Sequence, residues 1–474
     1  MKLPEALSPR TLAEILDRAG DPLFARWQRQ VQRCGCCARP IRMRGRILRD
    51  GAEIYSTARE PDGVAYIRCG NRRSSVCPSC SYEYAGDMWQ LLAAGVAGGR
   101  KGVPATVANH PLVFVTLTAP SFGPVHGVRD DNGRCRPRRE GKLCPHGRPT
   151  WCIRRHHPGD AALGQPLCLD CYDHVGAVLF NWHAPELWRR FAIALRRALA
   201  HRLGMTATEL NRTVRLSYAK VAELQLRGVV HFHAIVRLDA AEGDYQAPDI
   251  DVSHEILDRA VHDAARRVRL VVPSGANQAV ALSWGAQVDV RPIRTGQPAG
   301  EITPEVVAAY IAKYATKAAE DFGTGDRPVD PPMARQLDLS AHVVRMIETA
   351  WRLSIEVESL ERLRRWTHML GFRGHYSTKS RRYSITLGSL RRARANYRRR
   401  QDLDGRDVRT LGDDHDEDDT TLLVGEWTFA GVGWRTSGDA LLAAEAAARA
   451  REWRQLARDE ASIRTTTEGV RRLG

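Results

Sequence analysis

Apolar positions along this chain recur at two periods, and the switch between them lays out the elements. Residues 113–120, 216–224 and 229–238 are short runs rich in apolar and β-branched side chains and read as buried strands. The second and third are separated by Gln225-Leu226-Arg227-Gly228, a glycine-containing turn, so an antiparallel hairpin is expected. A further strand is expected at 285–291. Helical spacing marks 84–99, 185–203 and 251–268. Thr303-Pro304-Glu305 opens another helix, with proline in the first turn and a carboxylate near the positive end of the dipole. This order predicts an α+β fold, an antiparallel sheet with helices on one side. Farther on, 331–400 reads as mainly helical, 412–419 as an acidic linker, 422–434 as a small hairpin and 440–457 as an alanine-rich helix.

Chemistry is concentrated on the hairpin and the helix that follows. His231 and His233 are two apart on a strand, so both imidazoles point to one face and can grip one divalent ion. Counting back from the turn puts Glu223 opposite one of them. A carboxylate there adds the oxygen ligand that Mg²⁺ or Mn²⁺ prefers, with Gln225 as the rival third ligand. On the helix, Tyr310 and Tyr314 are i and i+4, and Lys313 and Lys317 form a second such pair beside them. A phenol becomes a strong nucleophile when it ionises, which nearby cations favour. Taken singly, each set has an ordinary structural explanation, core histidines or tyrosines that pack a helix on a sheet. Together they supply a metal and a nucleophile.

That combination resembles the HUH endonucleases, the superfamily of rolling-circle replication initiators, relaxases and single-strand transposases. Val113-Phe114-Val115-Thr116-Leu117-Thr118-Ala119-Pro120 looks like the first-strand Phe-x-Thr-Leu-Thr motif of the initiators, and 223–233 is similar to their His motif. More narrowly, Cys69-Gly70-Asn71-Arg72-Arg73 with 112–126, 172–190 and 370–390 resembles the actinobacterial plasmid and integrative-element replication initiators. The resemblance runs over roughly 34–400. It implies an antiparallel-sheet HUH core that nicks one strand of single-stranded or supercoiled plasmid origin DNA. The products would be a 5′-phosphotyrosine link and a free 3′-OH that a host polymerase extends. No P-loop is visible, so unwinding would need a host helicase. Tyr310 and Tyr314 both fit the two-tyrosine motif of such initiators and are not ranked. A transposase or relaxase would share the core. Tyrosines that follow the His pair favour the initiator or the transposase. A zinc-dependent DNA-binding regulator without catalysis would leave the His pair and both tyrosines unexplained.

Charge strengthens the case for a nucleic-acid partner. Lys and Arg number 71 against 55 acidic residues, a net charge of +16, and such a surface binds phosphate chains by counterion release. The excess gathers at Arg364 and Arg365, then at Arg373, Lys379, Arg381 and Arg382, where aromatics interleave with the cations as they do where bases stack. Residues 391–400 read equally as a solvated basic helix face or a DNA contact.

Eleven cysteines fall in two groups, and zinc explains both economically. Cys34-x2-Cys37 and Cys77-x2-Cys80 have the paired-knuckle spacing of a structural site, with Cys36 and Cys69 to spare and Cys36 able to replace either partner. Cys168-x2-Cys171 is a second firm pair. Cys144 and Cys152 are its chosen partners, with Cys135 or His146 as substitutes. Disulfides are the competing reading, but Met1-Lys2-Leu3-Pro4 opens no apolar signal core, so a cytoplasmic setting is expected. No apolar run approaches membrane-spanning length. The expected organisation is an N-terminal helix or tail at 1–29, a zinc module at 30–85 and an endonuclease domain at 110–322 with a zinc-held insertion at 121–172. A basic extension at 331–400 and a linker and tail at 401–474 would follow.

Overall fold

The computed structural model describes residues 7–128, 133–136, 143–275, 277–294, 303–316, 322–325, 327–404 and 423–471. In chain order its first elements are α1 (Pro9–Gly20), α2 (Phe24–Arg33), β1 (Ile41–Arg49), β2 (Ala52–Ser56), β3 (Ala65–Ile67) and α3 (Pro78–Val96). Next come β4 (Leu112–Leu117), α4 (His174–Arg202), α5 (Ala207–Thr213), β5 (Val214–Leu224), β6 (Val230–Ala240) and α6 (His254–Arg267). A short hairpin, β7 (Leu270–Gly275) and β8 (Gln278–Leu282), precedes β9 (Val288–Pro292) and α7 (Pro304–Thr316). The rest comprises α8 (Pro331–Gln336), α9 (Ala341–Glu356), β10 (Ser377–Lys379), α10 (Leu387–Asp404), β11 (Leu423–Val432) and α11 (Ser437–Arg471). Contacts divide the chain into two units, Gly86–Ala393 and a second made of Met1–Ala85 with Arg394–Gly474. No helix among the described residues is long and apolar enough to cross a membrane.

The larger unit is built on a five-stranded antiparallel sheet in the order β10-β5-β6-β4-β9. The hairpin expected from the 225–228 turn is its centre. Strand β6 is buried at nearly every position, so both of its faces need cover, and helices lie on both sides rather than on one. On one face Phe232 meets Trp188 of α4 at 5.9 Å between ring centroids. On the other, Tyr310 of α7 packs edge-on against Phe114 at 5.8 Å and His233 at 5.2 Å.

Helix α4 begins at His174, not near 185 as helical spacing suggested, and Pro185 lies inside it. A proline there forfeits one backbone hydrogen bond. Ala177, Val178, Leu179, Phe180, Trp182 and Ala184 bury on the sheet and hold the first turns, and the Asp173 side chain caps them by accepting from the Gly176 N–H at 2.7 Å.

The basic stretch after 331 is not packed apart from the sheet. Val343, Met346, Ile347, Ala350 and Leu353 of α9 join the main core, and β10 pairs with β5 as an edge strand. Phe372, Tyr376 and Tyr383, read as aromatics interleaved for base stacking, are buried instead. Burying rings of this size outweighs what a solvent-facing loop would gain from them.

The second unit has a four-stranded antiparallel sheet in which β1 pairs with β2, β3 and β11. Residues 422–434 therefore do not form their own hairpin, because 423–432 is one strand whose partner lies near the start of the chain. Gly45 permits the pairing, since a Cβ there would stand 1.9 Å from the Glu426 carbonyl oxygen. Trp27, Val31, Tyr66, Trp434 and Ala443 form the core around Cys37, Cys77 and Cys80. Buried Arg18 ties α1 to α11 through Asp439 at 2.6 Å and to Asp62 at 2.8 Å.

Candidate active site and metal-binding clusters

Pairing along the central hairpin puts Glu223 directly across from His231, and Val221 across from His233. All three polar side chains therefore share the face covered by α7. Glu223 Oε2 lies 2.8 Å from His231 Nε2 and 3.1 Å from His233 Nε2. Three donor atoms thus converge on one point, at the edge lengths of about 3 Å that metal–ligand arms near 2.1 Å produce. Nδ1 of His233 is 3.1 Å from Thr116 Oγ1, a partner that fixes the ring and leaves Nε2 for the site. Partial burial works against the Glu223 charge, but the hydrogen bonds from His231 and His233 win and hold its carboxyl down at about 2. Burial, together with the neighbouring His231, holds His233 below its ordinary value, which favours the neutral imidazole that a metal takes as ligand. The donor set, two imidazoles and a carboxylate, fits a divalent cation such as Mg²⁺ or Mn²⁺.

The tip of this hairpin is held from several directions. Buried Asn181 of α4 donates to the Gly228 and Leu370 carbonyls, both at 2.8 Å, and accepts from the Val230 N–H at 2.9 Å. Arg227 donates to the carbonyls of Pro120 and Ala119, and its Nε donates to Gln225 Oε1 at 2.9 Å. That last bond engages Gln225 away from the histidines and leaves Glu223 as the carboxylate of the cluster.

Helix α7 presents Tyr310 to the same site, 39% exposed with its ring edge-on to His233. Lys313 and Tyr314 are carried by α7, but their side chains, and all of Lys317, lie outside the described residues. The expectation for those three therefore rests on sequence.

Among the described residues, cysteines and histidines form three further clusters whose donor atoms lie within 4.8 Å of one another. The first is Cys37, Cys69, Cys77 and Cys80. Its sulfurs are 3.7 Å apart for Cys37 with Cys77, 3.7 Å for Cys37 with Cys80 and 3.6 Å for Cys69 with Cys80. A tetrahedral zinc with arms of about 2.3 Å requires sulfur–sulfur edges of about 3.8 Å. Backbone N–H groups of Ala38, Cys69 and Asn71 point at the sulfurs, as knuckles around a thiolate do. Cys34, expected in this set, is not part of it. Cys34 ends α2, its thiol faces the Val31 carbonyl at 3.3 Å, and the left-handed turn at Gly35 and Cys36 separates it from Cys37. Cys69, which stood as a spare, takes the fourth place.

The second cysteine group divides in two. Cys144, His146, Cys168 and Cys171 gather at one point, with His146 Nδ1 3.2 Å from Cys171 Sγ and 3.8 Å from Cys168 Sγ. Cys152, expected there, is drawn off because its backbone pairs with Arg136, which sets it beside Cys135 in a different cluster. Sequence spacing could not reveal this, since it needs the antiparallel pairing of the insertion's two legs.

Among the residues expected to touch DNA, Arg365, Arg373 and Arg381 are exposed, and Arg364 and Arg382 are exposed with partners in Glu361 and Asp244. Arg373 lies over the Trp182 ring at 4.3 Å. Lys379 is different: it is half-buried and donates to the carbonyls of Ser380, Arg381 and Ser384, which brace the turn after β10.

Sheet, convergent histidines and charge define a basic protein of mixed helix and antiparallel sheet with several sites suited to metal ions. Comparison with known proteins supplies the family. The model described as "Replication initiator protein, pSAM2" matches residues 23–448. A "Replication initiator protein" of Streptomyces ambofaciens is 43% identical over 475 residues, covering 98% of each chain. The chain belongs to this RepSA family of replication initiator proteins. No solved structure matches it.

Proposed function

We propose that this replication initiator is an HUH-type nickase that starts rolling-circle replication of a plasmid or integrative element. The observation that carries the reading is the packing of Tyr310 against His233 while His233 and His231 converge on Glu223. His231, His233 and Glu223 would hold Mg²⁺ or Mn²⁺, which when bound polarises a phosphate oxygen and offsets charge that builds on it. Tyr310, after loss of its phenolic proton to solvent, attacks the scissile phosphorus of single-stranded origin DNA. The new bond joins the tyrosine oxygen to phosphorus, the P–O3′ bond breaks, and the departing 3′ oxygen takes up a proton. The result is a 5′-phosphotyrosine and a 3′-OH from which a host polymerase extends, with a host helicase to open the duplex. Tyr314, with Lys313 and Lys317 to favour the phenolate, would serve the second cut that closes a round. Arg364, Arg365, Arg373, Arg381 and Arg382 would hold the backbone by charge. Zinc in the cysteine clusters would be structural.

The test is incubation of the full chain with single-stranded origin DNA and Mn²⁺, read by denaturing gel and peptide mass. Wild type, Tyr310→Phe, Tyr314→Phe and the double variant are run together. DNA attached to a peptide of α7, lost in the double variant, is the expected result. Tight binding without an adduct on every origin tried would leave a non-catalytic DNA-binding initiator.

A further inference from the structure

We propose that the segment between β4 and α4 carries a zinc ion of its own on His126, Cys135, Cys152 and His156, and that this site interleaves with the Cys144, His146, Cys168 and Cys171 cluster to brace the segment as one unit.

The four donor atoms lie within 4.8 Å of one another. His126 Nδ1 lies 3.1 Å from His156 Nε2, Cys135 Sγ lies 3.9 Å from His126 Nδ1, and Cys152 Sγ lies 3.5 Å from His156 Nε2. Zinc arms of about 2.0 Å to nitrogen and about 2.3 Å to sulfur require edges of about 3.3 to 3.8 Å, close to these values. The outer contact of His156 favours an ion over a plain hydrogen-bond cluster. Its Nδ1 lies 2.6 Å from Asp160 Oδ2, which engages that side of the ring and leaves Nε2 facing His126 Nδ1 and Cys152 Sγ. A carboxylate behind a ligating imidazole is the usual outer partner of a zinc histidine. The Gly127 N–H points at Cys135 Sγ from 3.2 Å, as a knuckle does at a thiolate. His156, Cys135 and Cys152 are buried, as a closed structural site requires.

Chain order then gives the site its role. The ligand pairs are 126 with 135, 144 with 146, 152 with 156, and 168 with 171. The first and third pairs make one site, the second and fourth the other. Each ion therefore ties together chain segments that flank a ligand pair of the other. Among the described residues the two legs are joined by backbone bonds from Cys135 N to Arg154 O at 2.9 Å, Arg136 N to Cys152 O at 2.9 Å and Cys152 N to Arg136 O at 2.8 Å, and the ions would add side-chain cross-links at the same positions. The braced segment seats against the catalytic hairpin. A Cβ on Gly164 would stand 2.3 Å from the backbone of Leu226 in the 225–228 turn.

Zinc per chain is measured on the full-length protein by native mass spectrometry, in wild type and in Cys135→Ser/Cys152→Ser. The expected change is the loss of one ion in the variant. In parallel the zinc-loaded wild type is treated with N-ethylmaleimide before and after a chelator, and modified cysteines are mapped. Cys135 and Cys152 should be protected until zinc is stripped and reactive afterwards. An unchanged zinc count in the variant overturns the proposal. So does reaction of both cysteines before chelation, or their recovery as a disulfide. These readouts need no DNA, so they stand or fall separately from the nicking reaction.

Discussion

Glu223 stands directly opposite His231 on the neighbouring strand, its Oε2 2.8 Å from the imidazole Nε2. The same oxygen reaches His233, so one carboxylate links both imidazoles, and the site is a property of strand register rather than of any single strand. A slip of one residue would send Glu223 to the face that α4 covers. Glu223→Gln keeps the shape and removes the charge. Nicking with Mn²⁺ should fall by about 10²- to 10³-fold while affinity for origin DNA stays within about twofold. Time courses of strand cleavage beside a binding isotherm check this. Wild-type cleavage by the variant would remove Glu223 from the site.

Asn181 satisfies three backbone groups at the hairpin tip from the interior of α4. Asn181→Leu leaves two carbonyls and one N–H buried without partners. Stability should drop by about 2–4 kcal/mol, measured by urea unfolding. A change below about 0.5 kcal/mol, the range of an ordinary surface substitution, would mean the clamp is not holding the hairpin.

Cys69→Ser and Cys34→Ser distinguish the observed first cluster from the one that spacing suggested. Cys69→Ser should release one zinc and lower the melting temperature sharply, as removal of a structural ligand does. Cys34→Ser should keep its zinc and cost about 1 kcal/mol for a small buried group. The opposite ranking, read from metal content and thermal melts, would restore Cys34 as the ligand.

Stability should depend on acid through two histidines, one buried and one half-buried. Burial holds His174 and His183 down at about 4, with His342 beside the first and Arg373 beside the second adding to the effect. Both are depressed bases, so the unfolded chain binds more protons between its ordinary histidine value near 6.5 and about 4. The folded state is therefore at full strength above that window and weakens as pH falls through it. Urea midpoints from pH 7 to pH 4 should decline, and His174→Gln with His183→Gln should flatten the decline. An equal slope in the variant would place the acid sensitivity elsewhere.

Gly45→Val tests the long-range pairing of β1 with β11. The added side chain meets the Glu426 carbonyl, so the strand near the C-terminus should detach and the unit made of both chain ends should lose about 1–3 kcal/mol. Faster hydrogen exchange across 423–432 is the direct readout. Unchanged protection there would show that the two strands do not depend on close approach at Gly45.

Periodicity and turn chemistry alone determined the central hairpin, the first strand of the sheet, the start of α7 and the shared face of His231 and His233, because each depends on neighbours within one turn of chain. The choice between Glu223 and Gln225 waited on the fold, where Arg227 engages Gln225. The net charge, read from composition alone, pointed to a nucleic-acid partner. Tertiary structure decided what depends on distant partners. It exchanged Cys34 for Cys69 and divided Cys144 from Cys152, because ligand sets follow converging backbones and not spacing. Pro185 entered α4 because the sheet buries the residues on both sides of it. Phe372, Tyr376 and Tyr383 went to the core, and β11 joined β1, a partner nearly the whole chain away. Local sequence encodes which face a side chain takes, but only the folded chain decides which other face it meets.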